Sequence, residues 1–132
     1  MKEIIINNDI LAINQIVEET NRLLGQLSGF ITNFNNILIN AGVNTCSTPG
    51  GDFYIDAPGH IPESELTNVT KKLGIVDRLI HDHHQSISDL FKKGAGLESS
   101  IKKVDPSYTS PLGDQMARFK SISSSYKHLM VD

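Results

Sequence analysis

Apolar residues recur along residues 10–38 at intervals of three and four. Ile10, Ile13, Val17, Thr20, Leu24, Leu27, Ile31, Phe34 and Leu38 keep the alternation without a break, and Thr20 is its one polar member. Residues at these spacings share one face of an α-helix, so the pattern predicts a helix over 9–40 with a seam like that of a coiled coil. Ile16, Leu23, Phe30 and Ile37 repeat every seven residues beside the seam. That second stripe widens the apolar face beyond what a two-stranded coil needs and calls for a further partner helix.

The same alternation returns downstream. Leu66, Val69, Leu73, Val76, Ile80, His83, Ile87 and Leu90 predict a helix over 62–93, opened by Pro62 with Glu63 and Glu65 in its first turn. Proline is tolerated there, and acids suit the positive end of the helix dipole. Gly94 and Gly96 are read as a break or kink. Leu97, Ile101 and Val104 hold the phase, which allows a continuation to residue 104. Leu112, Met116, Phe119, Ile122, Tyr126 and Leu129 predict a third helix over 110–130 behind Ser110-Pro111.

These elements define an all-α fold: an elongated antiparallel helical hairpin with a third, C-terminal helix, a single domain spanning residues 1–132. The third helix is expected to lie on the Ile16, Leu23, Phe30 and Ile37 stripe. In the antiparallel register that sets Leu38 against Leu66, Thr20 falls opposite His83, so the single polar position of each seam becomes a hydrogen-bonded pair. Polar seam residues of this kind confer register more than strength.

Residues 41–61 form a connection longer than the roughly two to eight residues usual between helices of a bundle. Within it Asp52-Phe53-Tyr54-Ile55-Asp56 alternates as a strand does between two Pro/Gly clusters. Ile4, Ile5 and Ile6 are a possible pairing partner. Phe53 and Ile55 either cap the open end of the hairpin or offer a tip to a partner.

Composition narrows the functional classes. Twelve basic residues against fifteen acidic give a net charge of −3, which removes the broad attraction that nucleic acid exploits. The balance is uneven: residues 1–90 carry five basic and eleven acidic side chains, residues 91–131 seven and three. One cysteine, Cys46, cannot form an internal disulfide. The longest apolar run, Ile10 to Ile13, is far short of a membrane span, and Met1-Lys2-Glu3-Ile4 does not open a signal peptide. A cytoplasmic location, or incorporation into a virion or secretion complex, is the expectation that follows.

His81-Asp82-His83-His84 is the cluster at which a search for catalysis stops. On a helix Asp77, His81 and His84 occupy positions i, i+4 and i+7, a stripe able to coordinate a divalent metal, with Glu18 or Glu19 nearby in the proposed register. The His81-Asp82 dipeptide is similar to the paired ligands of HD-type phosphohydrolases. That pattern is incomplete here, because only His60 and Asp105 remain for the other two ligands and both fall in loop or break positions. The stretch from Val104-Asp105-Pro106 to Pro111 before an amphipathic helix is similar in outline to type III needle subunits. Their turn prolines lie closer together, and the likeness covers the last quarter of the chain.

The sequence therefore favours a non-enzymatic helical subunit without a cofactor. It would complete its apolar faces by self-association or by docking in a larger protein assembly, with Ile16, Leu23, Phe30, Ile37, Phe53 and Ile55 as the contact residues. The alternative is a metal-binding protein or metalloenzyme built on Asp77, His81 and His84.

Overall fold

A computed structural model describes residues 2–48, 53–126 and 128, with the side chains of residues 2–6 and 47 outside that description. Three helices dominate: α1 (Lys2–Ala41), α2 (Glu63–Val104) and α3 (Gly113–Ser124). Between α1 and α2 lie two short strands, β1 (Asn44–Ser47) and β2 (Phe53–Asp56). At 1.5 Å per residue the two long helices each reach about 60 Å, several times the radius of gyration of about 14 Å expected for a compact chain of this size. The molecule is a rod. Among the described residues, no helix is long and apolar enough to cross a membrane.

The expected all-α hairpin with a third helix is present, and the seams form its core. Ile13, Thr20, Leu24, Leu27 and Phe34 on α1 are buried against Leu73, Ile80 and Ile87 on α2, each at most 1% exposed. Ile31, Val69 and Val76 complete the same face.

Both long helices outrun their expected limits. α1 starts at Lys2, not residue 9, so the isoleucines at positions 4–6 extend the helix and do not form a strand. Ile6 stands four residues before Ile10, on the phase of the seam, and helical continuity outweighs the β preference of the isoleucines. α2 runs through Gly94 and Gly96 without a break as far as Val104. Gly94 is there for space: a Cβ at this position would come within 2.6 Å of the Leu112 side chain. α2 finishes with Lys102 and Lys103 in its last turn, where cations meet the negative end of the dipole. α3 is shorter than 110–130. Ser124 and Ser125 turn their hydroxyls back onto the carbonyls of Lys120 and Ile122, an alternative to continued helix that weakens its end. Leu129 lies outside the described residues.

The connection is a small antiparallel hairpin in the register Asn44↔Asp56, Thr45↔Ile55, Cys46↔Tyr54 and Ser47↔Phe53. Gly42, at φ +68°, ends α1. Its N–H donates to the Ile39 carbonyl and that of Val43 to Leu38, the reciprocal pair of bonds that closes a helix on a left-handed glycine. β2 thus pairs with the segment that follows α1. Its partner is not residues 4–6. Asp52, read as part of the strand, lies outside the described residues. Phe53 and Ile55 alternate inward with Tyr54 and Asp56 outward, and both pack on the core. They lie half-buried against the core at the end of the helical hairpin.

The register differs as well. His83 meets Gln26 and Phe30 of α1, and Gly94 lies against Ile16, a displacement of about one heptad from the expected pairing. Thr20 and His83 do not form a pair. Thr20, fully buried, donates its hydroxyl to the Val17 carbonyl 3.0 Å away within its own helix. A threonine satisfied by its own backbone needs no partner across the seam, and two heptad seams fit equally well at any offset of seven. In the offset adopted, Gly94 lies beside Ile16 and Leu112.

Candidate interaction face and the histidine cluster

α1 and α2 form a slab with two flanks, and the histidine cluster divides between them. On one flank Asp77, His81 and His84 share a stripe, as their spacing requires. The Tyr126 hydroxyl donates to the Asp77 carboxylate, and His81 Nε2 stands 3.3 Å from the same oxygen. One helical turn on, the His84 ring packs on Phe119, with centroids 4.7 Å apart. Phe119 also meets Phe91 at 5.5 Å. Seven residues separate Asp77 from His84, and seven separate Phe119 from Tyr126. The stripe meets Phe119 of α3 and Tyr126 just after it, while α3 also packs along α1.

Burial and contacts shift two of these groups. Burial, followed by the hydrogen bond to Asp77 and that residue's negative charge, pushes the Tyr126 phenol well above its ordinary value. Burial lowers the His84 imidazole, and the neighbouring His81 adds to the effect. Near the turn into α3, burial and a hydrogen bond to Glu98 raise the Tyr108 phenol to about 12.

For metal chemistry the stripe would have to offer three ligands to one point. Among the described residues, no group of three or more His, Cys, Asp or Glu side chains is placed to hold a metal ion. His84 turns to Phe119 while Asp77 takes the Tyr126 hydroxyl. Glu19, expected near the cluster, stands on the opposite flank beside Leu90 and Lys93.

At the end of the slab next to the strands, α3 and the segment after it close over an aromatic group. Phe34 is its hub, meeting Phe53 at 5.3 Å, Tyr126 at 5.0 Å and His128 at 5.6 Å. His128 is 1% exposed, and its Nε2 is hydrogen-bonded to the Thr45 hydroxyl at 2.9 Å. Beside this group is a cleft of about 350 Å³ that Asn35, Asn44, Ser124 and Ser125 help to line. Sequence reasoning missed His128 and Thr45, since an isolated histidine and a loop threonine carry no periodic signal. Tyr126 and Phe119 were legible as members of the apolar face expected of the third helix, but their match to Asp77 and His84 was not.

The third helix does not take the stripe expected for it. Leu112 and Ile16 both border Gly94, Gln115 donates to Asn21 at 3.5 Å and Tyr126 meets Phe34. These contacts follow the flank of α1 that faces the cleft. Of the predicted stripe, Ile16 is buried beside Gly94. Leu23 is buried at 8%, while Phe30 and Ile37 are half-buried against the core. Aromatic pairs that bring α3 to Asp77 and His84 decide the choice.

The other flank stays open. A groove of about 640 Å³ runs between Glu19, Arg22, Leu23 and Gln26 of α1 and His83, Ser86, Asp89, Leu90 and Lys93 of α2. Leu23 and Leu90 form its apolar floor. His83 bridges its end, with Nε2 2.9 Å from the Gln26 amide oxygen, Nδ1 3.1 Å from the Leu79 carbonyl and its ring edge-on to Phe30 at 4.8 Å. Beyond it a second groove of about 320 Å³ lies among Ile37, Asn40, Ala41, Glu65, Asn68, Val69 and Lys72. Among the described residues, α1 and α2 alone line both.

Comparison of the chain with protein-family models, with curated proteins and with solved structures finds no match in any of the three.

Proposed function

We propose that this protein is a non-enzymatic helical interaction subunit that docks another protein helix along the open flank of the α1–α2 slab. The asymmetry of the slab carries the reading. One flank is occupied by α3, and the other, on which no third helix lies among the described residues, keeps a grooved surface floored by Leu23 and Leu90 between charged rims. A rod about 60 Å long with one unsealed side is suited to lateral assembly, as in a virion or a secretion machine, more than to enclosing a substrate. Asp77 and His81, the pair nearest in type to a general acid and base, are engaged with Tyr126 and with each other.

Leu90→Glu puts a charge on the groove floor at a half-buried position and spares the core residue Leu23. Light scattering of the purified chain, and gel filtration of native-cell extract probed for it, should show a particle heavier than the monomer. The variant should return to monomer size with unchanged helical circular dichroism. A wild-type chain that runs as a monomer in both settings would overturn the reading.

A further inference from the structure

The rims of the open groove carry a charge pattern that selects its occupant. Two contacts fix the levels of the slab: His83 lies beside Gln26 and Phe30, and Gly94 beside Ile16. Counting along antiparallel helices between these points puts Asp89 level with Arg22 and Lys93 level with Glu19, each to within about one residue. At each level the two rims therefore bear opposite signs, acid on one helix and base on the other. Within α1, Glu19 and Arg22 are already an ion pair one turn apart.

Such a pattern complements itself under one symmetry operation. A two-fold axis running along the groove, parallel to the helices, places α1 of one copy over α2 of the other at the same level. Glu19 then faces Lys93 and Arg22 faces Asp89, and each pair occurs twice. Toward the other end, α1 offers the uncharged Ile37, Asn40 and Ala41 to Glu65, Asn68 and Lys72, so no like charges meet. Every helix in the resulting four-helix layer is antiparallel to its neighbours, which opposes their dipoles. Leu23 and Leu90 of both copies are buried at the centre. A strongly acidic or basic partner gains nothing from rims whose named charges cancel, whereas a second copy pairs Glu19, Arg22, Asp89 and Lys93.

We infer that the open flank is the interface of a homodimer in which two copies of this chain pack about a two-fold axis parallel to α1 and α2. This rests on the interaction-subunit reading and names its partner.

Complementary charge reversal tests it. Arg22→Glu alone sets a glutamate against Asp89 twice in a homodimer, and Asp89→Arg alone sets Arg22 against an arginine twice. Mixed one to one, the two variants form a heterodimer in which both levels are again paired with opposite sign. Sedimentation equilibrium from about 1 to 200 µM should show a wild-type dimer. Each variant alone should self-associate at least about tenfold more weakly, and the mixture should recover to within about threefold of wild type. Circular dichroism confirms that each variant is folded. Variants that dimerise as tightly as wild type, or a mixture no tighter than its parts, would overturn the inference. A wild-type chain monomeric throughout would overturn it too. If that monomer still enters a native-extract particle that Leu90→Glu abolishes, the partner is another protein and the broader reading stands.

Discussion

The two flanks of the α1–α2 slab use similar residues to opposite ends. On the sealed flank Asp77, His81 and His84 meet Tyr126 and Phe119, and aromatic rings cover what would otherwise be a polar stripe. On the open flank His83, Asp89 and Glu19 border a groove. A histidine and carboxylate pair resembling the start of a catalytic site is, on the sealed side, a docking seat for a helix. What separates the two sides is the presence of aromatic residues at matching spacing on α3 and the segment after it, not the chemistry of the stripe itself.

The contrast is broken most forcefully at its hub. Phe34→Ala removes a side chain 1% exposed that holds Phe53, Tyr126 and His128 together, and should cost about 3 to 5 kcal/mol in denaturant unfolding. Leu90→Ala on the open flank should cost the monomer about 1 kcal/mol or less, since that side chain is half-buried. Equal costs would mean that the flanks are packed alike.

Tyr126→Phe deletes the hydroxyl that reaches Asp77 and should cost about 1.5 to 3 kcal/mol, the range for a hydrogen bond to a charged group. A loss below about 0.5 kcal/mol would show that this bond does not hold α3.

The glycines of α2 sharpen the comparison by sign. Gly94→Ala drives a Cβ into Leu112, itself 1% exposed and unable to yield freely. Overpacking of about 1 to 3 kcal/mol should outweigh the helix-propensity gain of about 1 kcal/mol. At Gly96 an added Cβ would meet nothing within 4 Å. Alanine there should instead stabilise by about 0.5 to 1 kcal/mol. Thermal melts of both variants decide this.

The smallest effect is a pH response on the sealed flank. Because burial against Phe119 lowers the folded-state pKa of His84, the unfolded chain binds that proton more readily. Its contribution is full above the unfolded value of about 6.5 and is lost as pH falls through the lower folded value. His84→Leu should flatten this part of the stability profile. A wild-type profile that rises on acidification through this range, and flattens with the variant, would contradict the sign.

Periodicity made most of this architecture legible. The residues that keep the three-four alternation, from Ile13 to Phe34 and from Leu73 to Ile87, supply the buried core, and Pro62 and Gly42 mark helix ends as their chemistry demands. The register was hidden because heptads repeat: Leu38 to Leu66 and the adopted offset are equivalent to the seam, and aperiodic contacts choose between them. The seat of α3 was hidden for a different reason: beside the seam, the flank of α1 that meets it carries Asn14, Asn21, Ser28 and Asn35, a polar row that gives no periodic apolar signal. Of the candidate site, the Asp77–His81–His84 stripe was visible but its use was not, because the rings that cover it are more than thirty residues away in the chain.

α3 covers the Asp77–His84 flank and leaves the Leu23–Leu90 flank open. Proton–proton nuclear Overhauser effects between assigned side chains of the unmodified protein test this most directly. Effects are expected between His84 and Phe119 and between Phe34 and Tyr126. Effects linking Phe119 or Met116 to Leu23 or Phe30 within one chain would place α3 on the other flank and contradict it.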